Sequence, residues 1–203
     1  MGTKEKITRK ALELFNQQGI EYVGMRELAS SLGMQIGNIN YYFRTKDDLV
    51  NQLAIDLSTL NEKTLATPKD LTMYSFLEMS ERNFRNQHTY RCLFLSFVHI
   101  IKQNPIIAEH YKKVEKARRG GFTDSINMLQ KQGYIKVDDR ESAAFLASAI
   151  GLIARFWISE AAISYNHFPV EQQIRHYVGL IARILTPYAT KQGCRHIEDF
   201  LKK

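Results

Sequence analysis

Apolar side chains in this chain return at intervals of three and four residues from one end to the other, and that spacing restricts the fold more than any other feature. Ile7, Ala11, Leu14 and Phe15 mark one face of a helix, and Met25, Leu28, Ala29 and Leu32 mark a shorter one. A sheet needs strands in which apolar and polar residues alternate, and no stretch here sustains that alternation between turn dipeptides. The expected fold class is therefore all-α.

Local signals divide the helices. Gly19 and Gly33 stop the first two, because glycine takes the backbone turn that ends a helix without strain. Thr45 and Asp48 have the spacing of a reciprocal N-terminal cap, opening a helix with Leu49, Leu53, Leu57 and Leu60 on one face. Thr67 and Pro68 end that helix and start another. Helices follow near residues 70–85 and 89–103, the second strongly apolar. Asn104 then caps a helix with Pro105 at its first position. That basic helix reaches Gly120 and Gly121, a place for a bend or break, and Phe122, Ile126 and Leu129 carry the pattern on to Gly133. Asp138 and Glu141 read as a second capping box before an apolar helix to about residue 162, and a last helix spans roughly 170–188. The polar tail after Pro187 is expected to fray, although Ile197, Phe200 and Leu201 suit a short docked helix.

With 203 residues the chain can form one domain or two small ones. Its formal charge of +7 hints at a polyanionic partner. The distribution does not locate a site, since residues 1–50 hold seven Lys or Arg against six Asp or Glu. The basic run from Lys112 to Arg119 reads most simply as a solvated helix face. Cys92 and Cys194 lie far apart and read as reduced thiols, Cys92 in the core. The longest apolar run, residues 143–158, is interrupted by Arg155 and is short for a bilayer, so no membrane partner is expected. A charged N-terminus with no apolar segment behind it argues against a secretory signal, and the expected location is cytoplasmic. His99 reads as a core histidine; no catalytic constellation, metal-ligand spacing or cofactor motif is found, and no enzyme activity is expected.

Between the second and fourth helices stands the run from Gly33 to Phe43, GMQIGNINYYF, a weak helix former with two glycines and two asparagines. Three short helices in some 45 residues, two of them joined by a tight turn at Gly33, make a helix-turn-helix arrangement. Ile39 and Phe43, four apart, face the preceding helices. Gln35, Asn38, Tyr41 and Tyr42 then point elsewhere, where amides can read adenine edges and phenols can bond phosphate oxygens.

Over residues 7–53 the chain resembles the N-terminal domain of TetR-family transcriptional regulators. Matching residues include Ala11, Leu14, Phe15, Gly19, Arg26, Glu27, Leu28, Ala29, Gly33, Gly37, Ile39, Tyr41, Phe43, Lys46 and Leu49. The resemblance implies a DNA-binding domain over residues 1–48, with a connecting helix to about 66, and a C-terminal effector-binding and dimerisation domain over 67–203. It places Arg26 at the DNA, and Gln35, Ile36, Gly37 and Asn38 in the groove. Tyr41 and Tyr42 match an aromatic pair on phosphates, and Lys46 a phosphate-binding lysine. Gly24 departs from the pattern, removing a threonine cap, and Asn40 replaces a common tyrosine, which can move a contact from backbone to base. Helical spacing sets Ile36 beside Ile39 and Phe43, whereas the resemblance sets it at the groove; the groove is adopted here.

For the C-terminal part the resemblance implies a small-molecule pocket, placed among Phe94, Phe97, Val98, Phe122, Ile126 and Phe145. It also implies a homodimer formed by the last two long helices, through Ala147, Gly151, Ala154, Ile174, Val178, Ile181 and Leu185. The expected function is a repressor released from a palindromic, double-stranded operator by a small, largely apolar ligand. The alternatives are a DNA-binding protein of this fold without an effector, and an all-helical carrier or enzyme.

Overall fold

The computed structural model describes residues 2–64 and 69–203. Among these, eleven α-helices follow in order: α1 (Thr3–Gln18), α2 (Met25–Ser31), α3 (Ile36–Tyr42), α4 (Lys46–Thr64), α5 (Met73–Thr89), α6 (Arg91–Leu95), α7 (Phe97–Gln103), α8 (Pro105–Lys131), α9 (Arg140–Ser164), α10 (Val170–Leu185) and α11 (Lys191–Lys202). A short 3-10 turn, η1 (Thr186–Tyr188), precedes α11. The described residues form no strand; one isolated bridge pairs Ile135 with Ala189. The turn expected at Thr67 and Pro68 lies outside the described residues.

The chain divides into two compact units, and the division differs from the boundary expected near residue 66. The first unit joins Met1–Leu60 with Gln87–Lys112, and the second joins Asn61–Asn86 with Lys113–Lys203.

In the first unit the apolar stripe of α1, Ile7, Ala11, Leu14 and Phe15, is buried with Leu28 and Ala29 of α2, Ile39 of α3 and Leu49 and Leu53 of α4. Gly19 closes α1 at φ +96°, where its N–H reaches the Phe15 carbonyl. The cap of α4 is reciprocal, as its spacing requires: Thr45 N donates to Asp48 Oδ2 at 2.9 Å and Asp48 N to Thr45 Oγ1 at 3.1 Å. Cys92, Ile100 and Ile107 complete this core. The apolar run over 89–103 is two helices rather than one. Ser96 interrupts it with its hydroxyl buried and donating to Glu21 Oε2 at 2.8 Å, while Asn16 Oδ1 accepts from Cys92 N at the start of α6. His99 is exposed, not a core residue. Asn104 caps α8 as expected, accepting from the amides of Ile106 and Ile107.

In the second unit, α8 runs through Gly120 and Gly121 without a break. Phe84 stacks on Trp157 with ring centroids 5.0 Å apart, and Ile126, Leu129, Leu146 and Ile150 pack in the same unit's interior. Asp139, one residue after the expected cap, accepts from Ser142 N at 2.7 Å to open α9. The residues assigned to a dimer contact need correction: Ala147, Ala154, Ile174, Val178, Ile181 and Leu185 are buried inside the single chain, because α10 turns its apolar stripe onto its own α9. Gly151 alone of that set is partly exposed. The outward apolar side of α9 is instead Phe145, Leu152 and Ile163, each more than half exposed.

By length and composition alone α9 passes as a candidate span, which is weak evidence, because core helices pass the same test. One face of the helix fills the core, and the opposite face carries the exposed Phe145, Leu152 and Ile163.

The tail does not fray. Thr190 accepts from Gly193 N to begin α11, and Ile197 and Phe200 are buried. Thr190 N donates to the Tyr134 carbonyl at 3.0 Å and Lys136 N to the Tyr188 carbonyl at 2.8 Å, so the approach to α11 is fixed by backbone bonds.

Candidate nucleic-acid interface

The turn between α2 and α3 is built on Gly33, whose φ of +62° falls in the left-handed region that residues with a Cβ adopt at a cost. There Gly33 N reaches the Ser30 carbonyl and Met34 N the Ala29 carbonyl, at 3.0 and 2.9 Å. The chain then extends through Gln35 (φ −73°, ψ 145°) and enters α3, seven residues long.

The two faces of α3 differ sharply. Ile39 has 0% of its surface exposed and Phe43, just past the helix, 3%. Gln35, Ile36, Gly37, Asn38, Asn40, Tyr41 and Tyr42 are all exposed, Tyr41 by 82%. Ile36 is 36% exposed, intermediate between the buried Ile39 and the open Tyr41. A seven-residue helix rises about 10 Å, which matches a major groove about 12 Å wide. Tyr41 and Tyr42 stand edge to face, with ring centroids 5.0 Å apart.

Gly37 is informative. A Cβ built on it meets nothing within 4 Å, so the chain itself does not need glycine there. Glycine inside a helix costs about 1 kcal/mol relative to alanine.

Around α3, Arg26 is exposed at the second position of α2. Gly24 precedes that helix with no side-chain cap, as the sequence indicated. The ammonium of Lys46 is turned onto the chain, donating to the carbonyls of Ile20 and Glu21. The contacts of Lys4 were not legible in the sequence. Its ammonium lies 5.6 Å from the centre of the Phe43 ring and donates to Gln52 Oε1, and neither relation leaves a periodic signal in the sequence.

The residues assigned to a ligand pocket divide between the units. In the first, Phe97 packs edge to face on Tyr111 at 4.8 Å, Phe94 is half-buried, and Val98 is open to solvent. In the second, Ile126 is packed in the core, Phe122 borders a cleft between α8 and α9, and Phe145 is open to solvent. Val98 and Phe145 thus do not line a sheltered chamber, because both sit on the outward side of their helices.

Comparison with known proteins agrees with this geometry. Residues 7–53 match the family model "Bacterial regulatory proteins, tetR family", and residues 58–197 match the TetR model "Bacterial transcriptional repressor". The chain is 37% identical over 67 residues to the probable HTH-type transcriptional regulator YttP of Bacillus subtilis, covering 33% of this chain and 32% of that protein. It is 37% identical over 83 residues to the class C tetracycline repressor protein of Escherichia coli, covering 40% and 37%. The matched region thus spans about a third of each of these relatives. A TetR-family regulator from Marinobacter aquaeolei VT8 superposes with a TM-score of 0.92 at 19% identity, over 100% of this chain and 98% of that one. A putative transcriptional regulator from Saccharomonospora viridis, solved in complex with choline, superposes with a TM-score of 0.70 at 19% identity, over 88% and 94%. At that identity both structures speak for the fold alone. With both family models matched along its length, the chain belongs to the TetR family of bacterial transcriptional regulators.

Proposed function

We propose that the chain is a cytoplasmic, homodimeric repressor that reads a palindromic operator with α3 and releases it when a small molecule binds the C-terminal unit. One observation carries the DNA-reading part: Ile39 and Phe43 anchor α3 while its amide and phenol side chains stand in solvent. In this reading Gln35, Asn38 and Asn40 meet base edges and Ile36 a thymine methyl. Tyr41, Tyr42, Arg26 and Lys46 hold phosphates.

Dimerisation is supported by α9. Phe145, Leu152 and Ile163 are seven and eleven residues apart, a spacing that sets all three on one helix face, and each is more than half exposed. A two-fold axis past that face would cover it with its own copy and present two reading helices to successive turns of a duplex, about 34 Å apart. A ligand-responsive role is supported by the choline complex of the Saccharomonospora viridis neighbour, as analogy of fold.

The test is fluorescence anisotropy with duplexes taken from beside the chain's own gene. A palindromic duplex should bind far more tightly than either half-site alone, and binding should weaken steeply with salt. Equal affinity for half-site and palindrome would contradict the dimeric reading.

A further inference from the structure

Lys4, the second residue of α1, is exposed, and its ammonium donates to Gln52 Oε1 of α4 at 2.9 Å. The Nε2 of the same amide donates to Asp56 Oδ1 at 2.8 Å, one turn further along α4. An ammonium can only donate and an ionised carboxylate can only accept, so a single orientation of the Gln52 amide satisfies both neighbours. Its carbonyl is held toward Lys4 and its NH2 toward Asp56. Gln52 is half-buried, so the anchor is firmer than a side chain in open solvent would give.

The ammonium also lies 5.6 Å from the centre of the Phe43 ring, within range of the attraction between a cation and an aromatic face. Phe43 directly follows Tyr42, the last residue of α3, so the charge of Lys4 stands at the C-terminal end of the candidate reading helix. All four residues belong to the first unit.

Two lysines of α1 are held in different ways. Lys10 pairs with the Glu13 carboxylate at 2.7 Å, which offsets its charge locally. Lys4 is held by a neutral amide, and among the described residues no carboxylate forms an ion pair with it. Gln52 takes one of its three N–H bonds, which leaves two for an anion. Fixing a flexible lysine stem beforehand reduces the entropy lost when that anion binds.

We propose that Lys4 is a further phosphate contact on the duplex, beside the C-terminal end of α3, and that Gln52 is its positioning residue. A compact cation with free N–H bonds recognises the charge of the backbone and carries no sequence information. The proposal rests on the reading in which α3 enters the groove, because that reading brings the end of α3 to a strand.

The experiment is fluorescence anisotropy of the full chain with a labelled duplex from beside its own gene, over a range of salt concentrations, with thermal melts to confirm that each variant is folded. Lys4→Met should weaken binding and reduce the slope of log affinity against log salt by about 0.9, and Lys4→Arg should retain the slope. Lys10→Met removes the same charge from the same helix and should leave the slope unchanged. Gln52→Leu alters no charge and should weaken binding, yet add nothing in the Lys4→Met background, since both changes act through one ammonium. The proposal is overturned by a native slope in Lys4→Met, by an equal fall in Lys10→Met or Lys4→Arg, or by a Gln52→Leu effect that persists undiminished without Lys4. Failure of the native chain to bind duplex would remove the α3 reading and this proposal together, whereas native binding that Lys4→Met leaves unchanged removes this proposal alone.

Discussion

The ammonium of Lys46 donates to the carbonyl oxygen of Ile20 at 2.8 Å, tying the first residue of α4 to the loop that follows α1. It also reaches the Glu21 carbonyl at 3.3 Å. A lysine ammonium has three N–H bonds, so a third can still meet a phosphate oxygen. Both roles are separable in Lys46→Met. Denaturant melts should show a loss of about 1–3 kcal/mol, the weight of hydrogen bonds from a charged donor. The slope of log affinity against log salt on duplex DNA should fall by about 0.9 if one phosphate contact is lost. A destabilised variant with an unchanged salt slope would make the lysine purely structural.

Gly37→Ala should move stability and binding in opposite directions. Because a Cβ at this position meets nothing within the chain, alanine should stabilise the fold by about 0.4–1 kcal/mol. Operator affinity should fall, since the same methyl stands between the helix backbone and the duplex. A gain in both would remove the argument that glycine is there for the partner.

Gly193→Ala should have the opposite sign in stability. A Cβ there runs into the Tyr134 carbonyl, part of the backbone bonds that seat α11. Overpacking of this kind costs about 1–3 kcal/mol, measured by thermal or denaturant melts. An unchanged melt would mean that α11 contributes little to the second unit.

The two cysteines should behave differently toward a thiol reagent. Burial pushes the Cys92 thiol up to about 12, from an ordinary value of 9.0, whereas Cys194 is half-buried. At pH 8 one thiol per chain, Cys194, should react promptly and Cys92 only as the chain unfolds. A raised pKa means that the native state holds the proton more tightly than the unfolded state. The Cys92 contribution to stability is therefore intact below about pH 9 and declines as pH rises toward 12. Prompt reaction of both thiols would contradict the burial of Cys92.

The helix-turn-helix was legible because its determinants are local. The left-handed glycine at 33, the cap at Thr45 and Asp48 and the four-residue spacing of Ile39 and Phe43 are each contained in a few residues. What was not legible depends on distant partners. Helical period places Ile174, Val178, Ile181 and Leu185 on one stripe, but not whether the stripe meets the chain's own α9 or a second copy; burial decides for the former. At the break between α6 and α7, Ser96 bonds Glu21, 75 residues away, and α11 is seated by Tyr134, 56 residues from Thr190.

Selection of duplexes from a random pool, run in parallel on the native chain and on Asn38→Ala, tests the α3 reading most directly. The account predicts enrichment of a two-fold symmetric sequence. The variant should relax one or two positions in each half, with about 1–3 kcal/mol of discrimination lost at each, and leave the half-site spacing unchanged. Failure to enrich any duplex at low salt, or the same sequence with the same discrimination from the variant, would contradict it.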